Sequence, residues 1–265
     1  MQSHYCVTDE MKKVATTMPI LIVLLVAYLG LGSMLYINQR SILYYPTPKV
    51  DHQFKELTFN NESESINVIV LNQKRRSAIL YFGGNGEAVA GNATDFEFLF
   101  PAHTVYLVNY RGYGGSTGVP EERGIYSDAL YIFDKIKQNH DAVSVIGRSL
   151  GAGVATLVAS ARELDKLILV TPFDSIQNIA QDSFPIFPAS LLIKDKYDSL
   201  SRVKDIKVPT LIIIAEFDEV IGRKYSMSLA SAFKPEQLTL EVIRGAGHNT
   251  ISFKERYGSL LKAFN

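Results

Sequence analysis

One cysteine, Cys6, serves the whole chain of 265 residues, so no intrachain disulfide is possible and the fold must hold by packing. Charge of either sign is not in excess. Lys and Arg number 27 and Asp and Glu number 27, which leaves no basic balance to suggest a nucleic-acid partner. Metal-site patterns are missing too: there is no cysteine pair, no H-E-x-x-H and no cluster among the five histidines. No G-K-S/T follows Gly83-Gly84-Asn85-Gly86, so that glycine run is not a phosphate loop. Internal repeats and low-complexity tracts are absent. Neither a metal nor a cofactor is expected.

Charge is also missing locally. No charged residue occurs from Val14 to Ile37, and Ile20 to Leu31 is almost purely apolar. The span exceeds the ~20 residues that cross a bilayer as helix. A cleaved signal peptide is the rival reading, because Lys12 and Lys13 precede the run. Against it, the apolar core is long and no small-x-small site precedes Asn38. A buried core helix fits poorly, since the stretch is apolar on every face. The expected division is a tail at 1–13, a transmembrane anchor at 14–37, a linker at 38–53 and a single α/β domain at 54–265. Lys12 and Lys13 on one side and Arg40 and Lys49 on the other nearly cancel the positive-inside bias, so the side of the membrane stays open. Near a membrane Cys6 is a lipidation candidate, against the plainer reading of an inert N-terminal cysteine.

After an aromatic, proline-punctuated segment, Ser41 to Pro48, the residues from Phe54 to Asn60 and Ile66 to Leu71 alternate as an antiparallel pair turning at Asn61-Glu62-Ser63-Glu64. Strand and helix then alternate. Strands are expected at 78–82, 104–109, 143–146, 167–170, 210–215 and 238–243. Helices are expected at 87–99, 121–138, after the fifth strand, at 224–232 and at 250–263. Apolar runs without alternation, separated by helices, predict a parallel sheet covered on both faces. The stretch from 172 to 208, with Phe173, Phe184, Pro185, Phe187 and Pro188, interrupts this rhythm as a short helical cap.

Within this frame stands Gly147-Arg148-Ser149-Leu150-Gly151. It reads G-x-S-x-G, follows the apolar run 142–146 and leads into a small-residue helix. Strand, tight turn and helix together make a nucleophile elbow, in which flanking glycines let Ser149 project its hydroxyl above the sheet edge. In open α/β sheets reacting groups gather at the carboxyl ends of the strands. That rule sorts the histidines. His103 and His140 stand before strands, and His4 and His52 precede the parallel sheet altogether. His248 follows the last strand in Arg244-Gly245-Ala246-Gly247-His248, where a base is needed. Asp218 follows the preceding strand and is the favoured acid, with Glu219 as the fallback and Glu216 and Asp174 as further competitors. The order Ser149, Asp218, His248 suits this arrangement. Leu150 offers one backbone N–H to an oxyanion, and Asn85 offers the second, with Gly84 as the alternative. The segment Asn109 to Ser116 reads as a structural loop bracing the elbow.

Together these residues resemble the α/β-hydrolase superfamily. The resemblance is closest to its membrane-anchored, serine aminopeptidase-like branch, with bacterial inner-membrane hydrolases and eukaryotic α/β-hydrolase domain proteins. It runs from Leu43 to the C-terminus on five segments: 43–48, 109–116, 147–151, 171–175 and 245–249. It implies a mostly parallel eight-stranded sheet with helices on both faces, a short cap and an N-terminal transmembrane helix. Two departures stand out: Gly83-Gly84 where the family usually has His-Gly, and Ala215-Glu216-Phe217-Asp218 where it tends to have Gly-x-x-Asp. The implied activity is a cofactor-independent serine hydrolase that cleaves an acyl ester or thioester. Its partners are then a small-molecule or lipid-like acyl substrate and a membrane, with Phe173, Phe184 and Phe187 as candidate acyl contacts. A peptidase on the same fold and a catalytically silent scaffold are the alternatives.

Overall fold

The computed structural model describes residues 3–264, with side chains from Thr17 onward; the side chains of His4, Cys6, Lys12 and Lys13, and with them the lipidation reading, lie outside the described residues. The chain divides after Leu43 into an N-terminal helix and a second unit that begins at Tyr44. The helix, α1, runs Ser3–Leu43, longer at both ends than the expected anchor. Its stretch Thr17–Leu43 is 27 residues of apolar helix, long enough to cross a membrane. At 1.5 Å per residue this is about 40 Å, against roughly 30 Å of hydrocarbon.

In the second unit eight strands form one sheet: β1 (Lys55–Asn61), β2 (Glu64–Leu71), β3 (Ser77–Phe82), β4 (His103–Val108), β5 (Ala142–Arg148), β6 (Leu167–Val170), β7 (Thr210–Phe217) and β8 (Leu238–Gly247). Their spatial order is β1-β2-β4-β3-β5-β6-β7-β8. The pairs β1–β2 and β2–β4 are antiparallel and all others parallel. This is the α/β-hydrolase architecture the sequence predicts. The central strands are apolar throughout because both faces are covered. Ile79, Tyr81, Ile146, Ile168, Ile213 and Ile243 pack into a core shared with α2 (Ala93–Leu99) and α8 (Glu255–Phe264). The opposite face carries α3 (Glu122–Lys137) and α4 (Leu150–Ala161), which pack on each other, with α4 also on β3, β5 and β6. Register aligns the carboxyl ends: Phe82 pairs with Gly147, Arg148 with Val170, Val170 with Ile213 and Phe217 with Gly247. The chain segments that follow these five strands therefore leave one edge of the sheet side by side.

Several expectations need correction. The helix expected at 87–99 begins only at Ala93, after a 3-10 turn at Val89–Asn92. Glu87 belongs instead to the turn after β3, where its N–H donates to the Gly84 carbonyl and its carboxylate accepts the Gly84 N–H. Strand β8 runs four residues beyond its expected end at Ile243, so its pairing reaches Gly247. Of the segment expected as a linker at 38–53, the residues up to Leu43 belong to α1 and those from Tyr44 to the second unit. Tyr44 is 4% exposed and belongs to the core of the second unit. The cap holds α5 (Ile176–Ser183), capped by the Ser175 hydroxyl on the Asn178 N–H, and the single turn α6 (Ala189–Leu192). Last among the helices, α7 spans Arg223–Ser231.

Candidate active site

Ser149 joins β5 to α4 with φ 51° and ψ −116°, a left-handed conformation that costs a non-glycine residue of order 1–3 kcal/mol. The glycines around it make that turn possible. A Cβ at Gly147 would collide with the Gly151 carbonyl, and one at Gly151 with the Phe82 carbonyl, so no larger residue fits either position. The Ser149 N–H donates to the Val170 carbonyl at 2.9 Å, which ties the elbow to the neighbouring strand. The hydroxyl then projects at the first turn of α4, where the helix dipole favours negative charge.

Ser149 Oγ stands 3.0 Å from His248 Nε2. On the other side of the ring, His248 Nδ1 lies 2.9 Å from both oxygens of Asp218. A carboxylate only accepts, so Nδ1 carries the proton and Nε2 is left to accept from the serine. The Asp218 side chain is fully buried, and its Oδ1 also accepts the N–H groups of Val220 and Ile221 at 3.0 and 2.7 Å. The neighbouring acids serve the same loop differently. Glu219 accepts the backbone N–H of His248 at 3.0 Å, and Glu216 that of Gly245 at 2.8 Å. Asp174 is spent on the start of α5, accepting from the Ser175 N–H and from Asn178 Nδ2. Of four candidate acids, Asp218 alone reaches the imidazole. His103 begins β4, and His140 contacts Tyr106 and the Arg75 carbonyl, both near strand starts at the opposite edge. His52 pairs with Glu56.

The loop Gly83–Glu87 passes beside the elbow, and a Cβ at Gly84 would lie 3.5 Å from that of Ser149. The Gly84 N–H donates to Glu87 Oε2 at 2.7 Å. Leu150 is the first residue of α4. Sequence reasoning missed how this loop is held. The Glu87 carboxylate also accepts from the Tyr81 hydroxyl at 2.6 Å, from Asn92 Nδ2 at 2.5 Å and from Arg148 Nη1 at 3.3 Å. Arg148 in turn donates to the His248 carbonyl at 3.3 Å, bridging the first loop and the histidine loop. Burial alone would lower its pKa, but the Glu87 carboxylate reverses this, and the guanidinium ends above its ordinary value. Burial, reinforced by Glu87, likewise pushes the Tyr81 phenol well up and keeps it a donor. A sequence signal for this pair existed only in part: Arg148 is the variable residue inside G-x-S-x-G.

Expected to brace the elbow, the segment 109–116 instead supports the loop beside it. Tyr110 donates to the Gly83 carbonyl at 2.7 Å and Tyr113 to Asn85 Oδ1 at 2.8 Å. A buried two-pronged pair, Arg111 with Asp128 of α3, anchors the segment in turn. The three aromatic candidates for acyl contact occupy different surroundings. Phe173 is buried against α4, where a Cβ at Gly153 would stand 3.3 Å from its ring. Phe187 is buried and Phe184 is 41% exposed. Among the described residues no three His, Cys, Asp or Glu side chains converge as metal ligands would.

With that geometry in place, comparison with known proteins gives a consistent picture. The family model described as serine hydrolase (FSH1) matches residues 91–255, a span that contains Ser149, Asp218 and His248. An uncharacterised protein of Mycobacterium tuberculosis is 30% identical over 251 residues, covering 86% of this chain and 87% of that one. Lysophosphatidylserine lipase ABHD12 of Macaca fascicularis is 32% identical over 206 residues, 68% of this chain and 51% of its own, so the match spans about half of that relative. Among solved structures, an esterase of Pyrococcus furiosus shares the fold at a TM-score of 0.66 and 18% identity, covering 83% of this chain and 96% of that one.

Proposed function

Starting from the FSH1 serine hydrolase family, to which this chain belongs, we propose a membrane-anchored enzyme that cleaves a lipid-like acyl ester or thioester through an acyl-enzyme. Ser149 Oγ attacks the acyl carbonyl while His248 Nε2 takes its proton. The imidazolium formed is stabilised by Asp218, which also fixes the tautomer. The backbone N–H groups of Leu150 and Asn85 receive the oxyanion of the tetrahedral intermediate. Collapse expels the alcohol or thiol, which leaves with the proton from His248. Water, deprotonated by His248, then attacks the acyl-serine, and the acid product departs as Ser149 recovers its proton.

The observation that carries this reading is the unbroken run of contacts from Ser149 Oγ through His248 to a buried Asp218, at 3.0 and 2.9 Å. Support for an acyl ester over a peptide comes from similarity to a protein named as a lysophosphatidylserine lipase. The anchor we propose is the apolar span 14–37 within α1. Phe184, Ile186 and Leu191 on the cap are 41%, 64% and 81% exposed, and they offer apolar surface to an acyl chain entering beside Phe187. Labelling with a fluorophosphonate probe tests the chemistry directly. Wild-type protein is expected to label at Ser149 and to hydrolyse p-nitrophenyl esters, and Ser149→Ala to do neither. Folded wild-type protein that resists the probe would instead mark a silent scaffold of hydrolase fold.

A further inference from the structure

The four residues after α1 do not merely lead to the catalytic unit. The backbone N–H of Tyr45 donates to Asn85 Oδ1 at 2.9 Å and shares itself with the Tyr113 hydroxyl at 3.0 Å. That hydroxyl donates to the same Asn85 oxygen at 2.8 Å. An amide oxygen has two lone pairs, and both are engaged here. Three atoms from three separate segments thus close a small triangle on the Asn85 side chain. Beside it, the Tyr45 Cβ packs 3.6 Å from where a Cβ of Gly86 would stand, on the residue that follows Asn85. Two further contacts hold the strap at its ends: the Tyr44 hydroxyl lies 3.0 Å from that of Tyr197, and the Thr47 carbonyl accepts the Gly114 N–H at 2.9 Å.

We propose that Tyr44–Thr47, with Tyr113, forms a positioning element for the oxyanion hole, fixing the loop that carries the Asn85 peptide N–H. The inference rests on the assignment of Asn85 as an oxyanion donor made above. An oxyanion donor works by being in place before charge develops, and misplacement of reacting groups by ~1 Å costs up to 10²-fold. Asn85 lies in a loop with glycine on three sides, Gly83, Gly84 and Gly86, whose backbone has little stiffness of its own. Stiffness is supplied from outside, by the side-chain oxygen that the strap and Tyr113 hold. Burial pushes the Tyr113 phenol up to about 12, so it remains a donor across the working pH range. The effect of the strap and Tyr113 passes through the Asn85 peptide unit, and it appears where the oxyanion forms rather than where substrate first binds.

The test uses the full chain in detergent with a p-nitrophenyl ester, counting competent sites by fluorophosphonate titration. Tyr113→Phe removes one hydroxyl and no volume. It is expected to lower kcat per titrated site about tenfold with KM within about twofold, because the lost alignment matters in the transition state. Asn85→Ala keeps the peptide N–H but frees the loop, and it is expected to lose a similar factor. The double variant should lose little more, since both changes break one link. Additive losses overturn the proposal, as does a Tyr113→Phe enzyme within about twofold of wild type per site. A smaller titrated fraction with unchanged kcat per site marks a purely structural role and overturns it too. Wild-type protein that neither titrates nor hydrolyses the ester is a different failure, and it removes the hydrolase assignment itself.

Discussion

Exchanging Glu87 and Arg148 in turn for methionine separates which half of their buried pair holds the first loop. Both side chains are 13% exposed. Glu87→Met leaves the guanidinium without its carboxylate, and it strips the Gly84 N–H, the Tyr81 hydroxyl and Asn92 of their shared acceptor. Breaking a buried pair from one side costs about 3–5 kcal/mol. Arg148→Met is milder, because the carboxylate keeps three donors at 2.5–2.7 Å. Its expected cost is that of one hydrogen bond to a charged group, about 1.5–3 kcal/mol. For a domain of this size each kcal/mol shifts Tm by about 2–4 °C, so the two variants should melt about 10 °C and about 5 °C below wild type. The chain has no tryptophan, so far-ultraviolet circular dichroism of the detergent-solubilised protein is the suitable readout. If Arg148→Met is the more damaging of the two, the guanidinium rather than the carboxylate is the hub, and the reasoning fails.

In steady-state ester hydrolysis His248→Ala should lose about 10⁴-fold or more in kcat, with Asp218→Asn next. Glu219→Gln should lose much less, because Glu219 reaches only the His248 backbone; the reverse order of the two acids would return the orienting role to Glu219. Across p-nitrophenyl esters of growing acyl length, kcat/KM should rise by ~0.8 kcal/mol per buried methylene, and a flat series from acetate upward refutes an apolar acyl pocket. The expressed full chain should stay with membranes through carbonate washing and need detergent for release. Recovery of a soluble chain lacking residues 1–37 would show a cleaved signal instead.

Much of the fold was legible because its signals are local. Strands such as Ile79 to Phe82 and Leu211 to Ala215 are apolar at every position, and only a sheet covered on both faces asks for that. Ser149 and His248 were legible because glycine spacing and strand order say where a chain must turn. Asp218 stood among three carboxylates within four residues, and the sequence ranked it without showing that Glu216 and Glu219 hold backbone amides of the same loop. What stayed hidden is long-range. Nothing near Glu87 announces Arg148, 61 positions away, and nothing near Tyr45 announces Asn85, 40 positions away. Tyr44 and Tyr45 read only as part of an aromatic, proline-punctuated segment, yet Tyr44 is buried and Tyr45 contributes through its peptide group. The late start of the helix expected at 87–99 belongs with these, since the Glu87 carboxylate is recruited by the loop before it.

The base and the roof of this site are built to different standards. His248 follows directly on β8, whose pairing with β7 reaches Gly247, and Glu219 holds its peptide N–H. Helix α5 of the cap holds no fully buried residue. Local opening free energies follow buried contacts, so α5 is expected to open more readily than a central strand such as β6, which is buried at every position. Loosening of α5 alone would leave the β7–β8 pairing and the Ser149–His248 contact as they are.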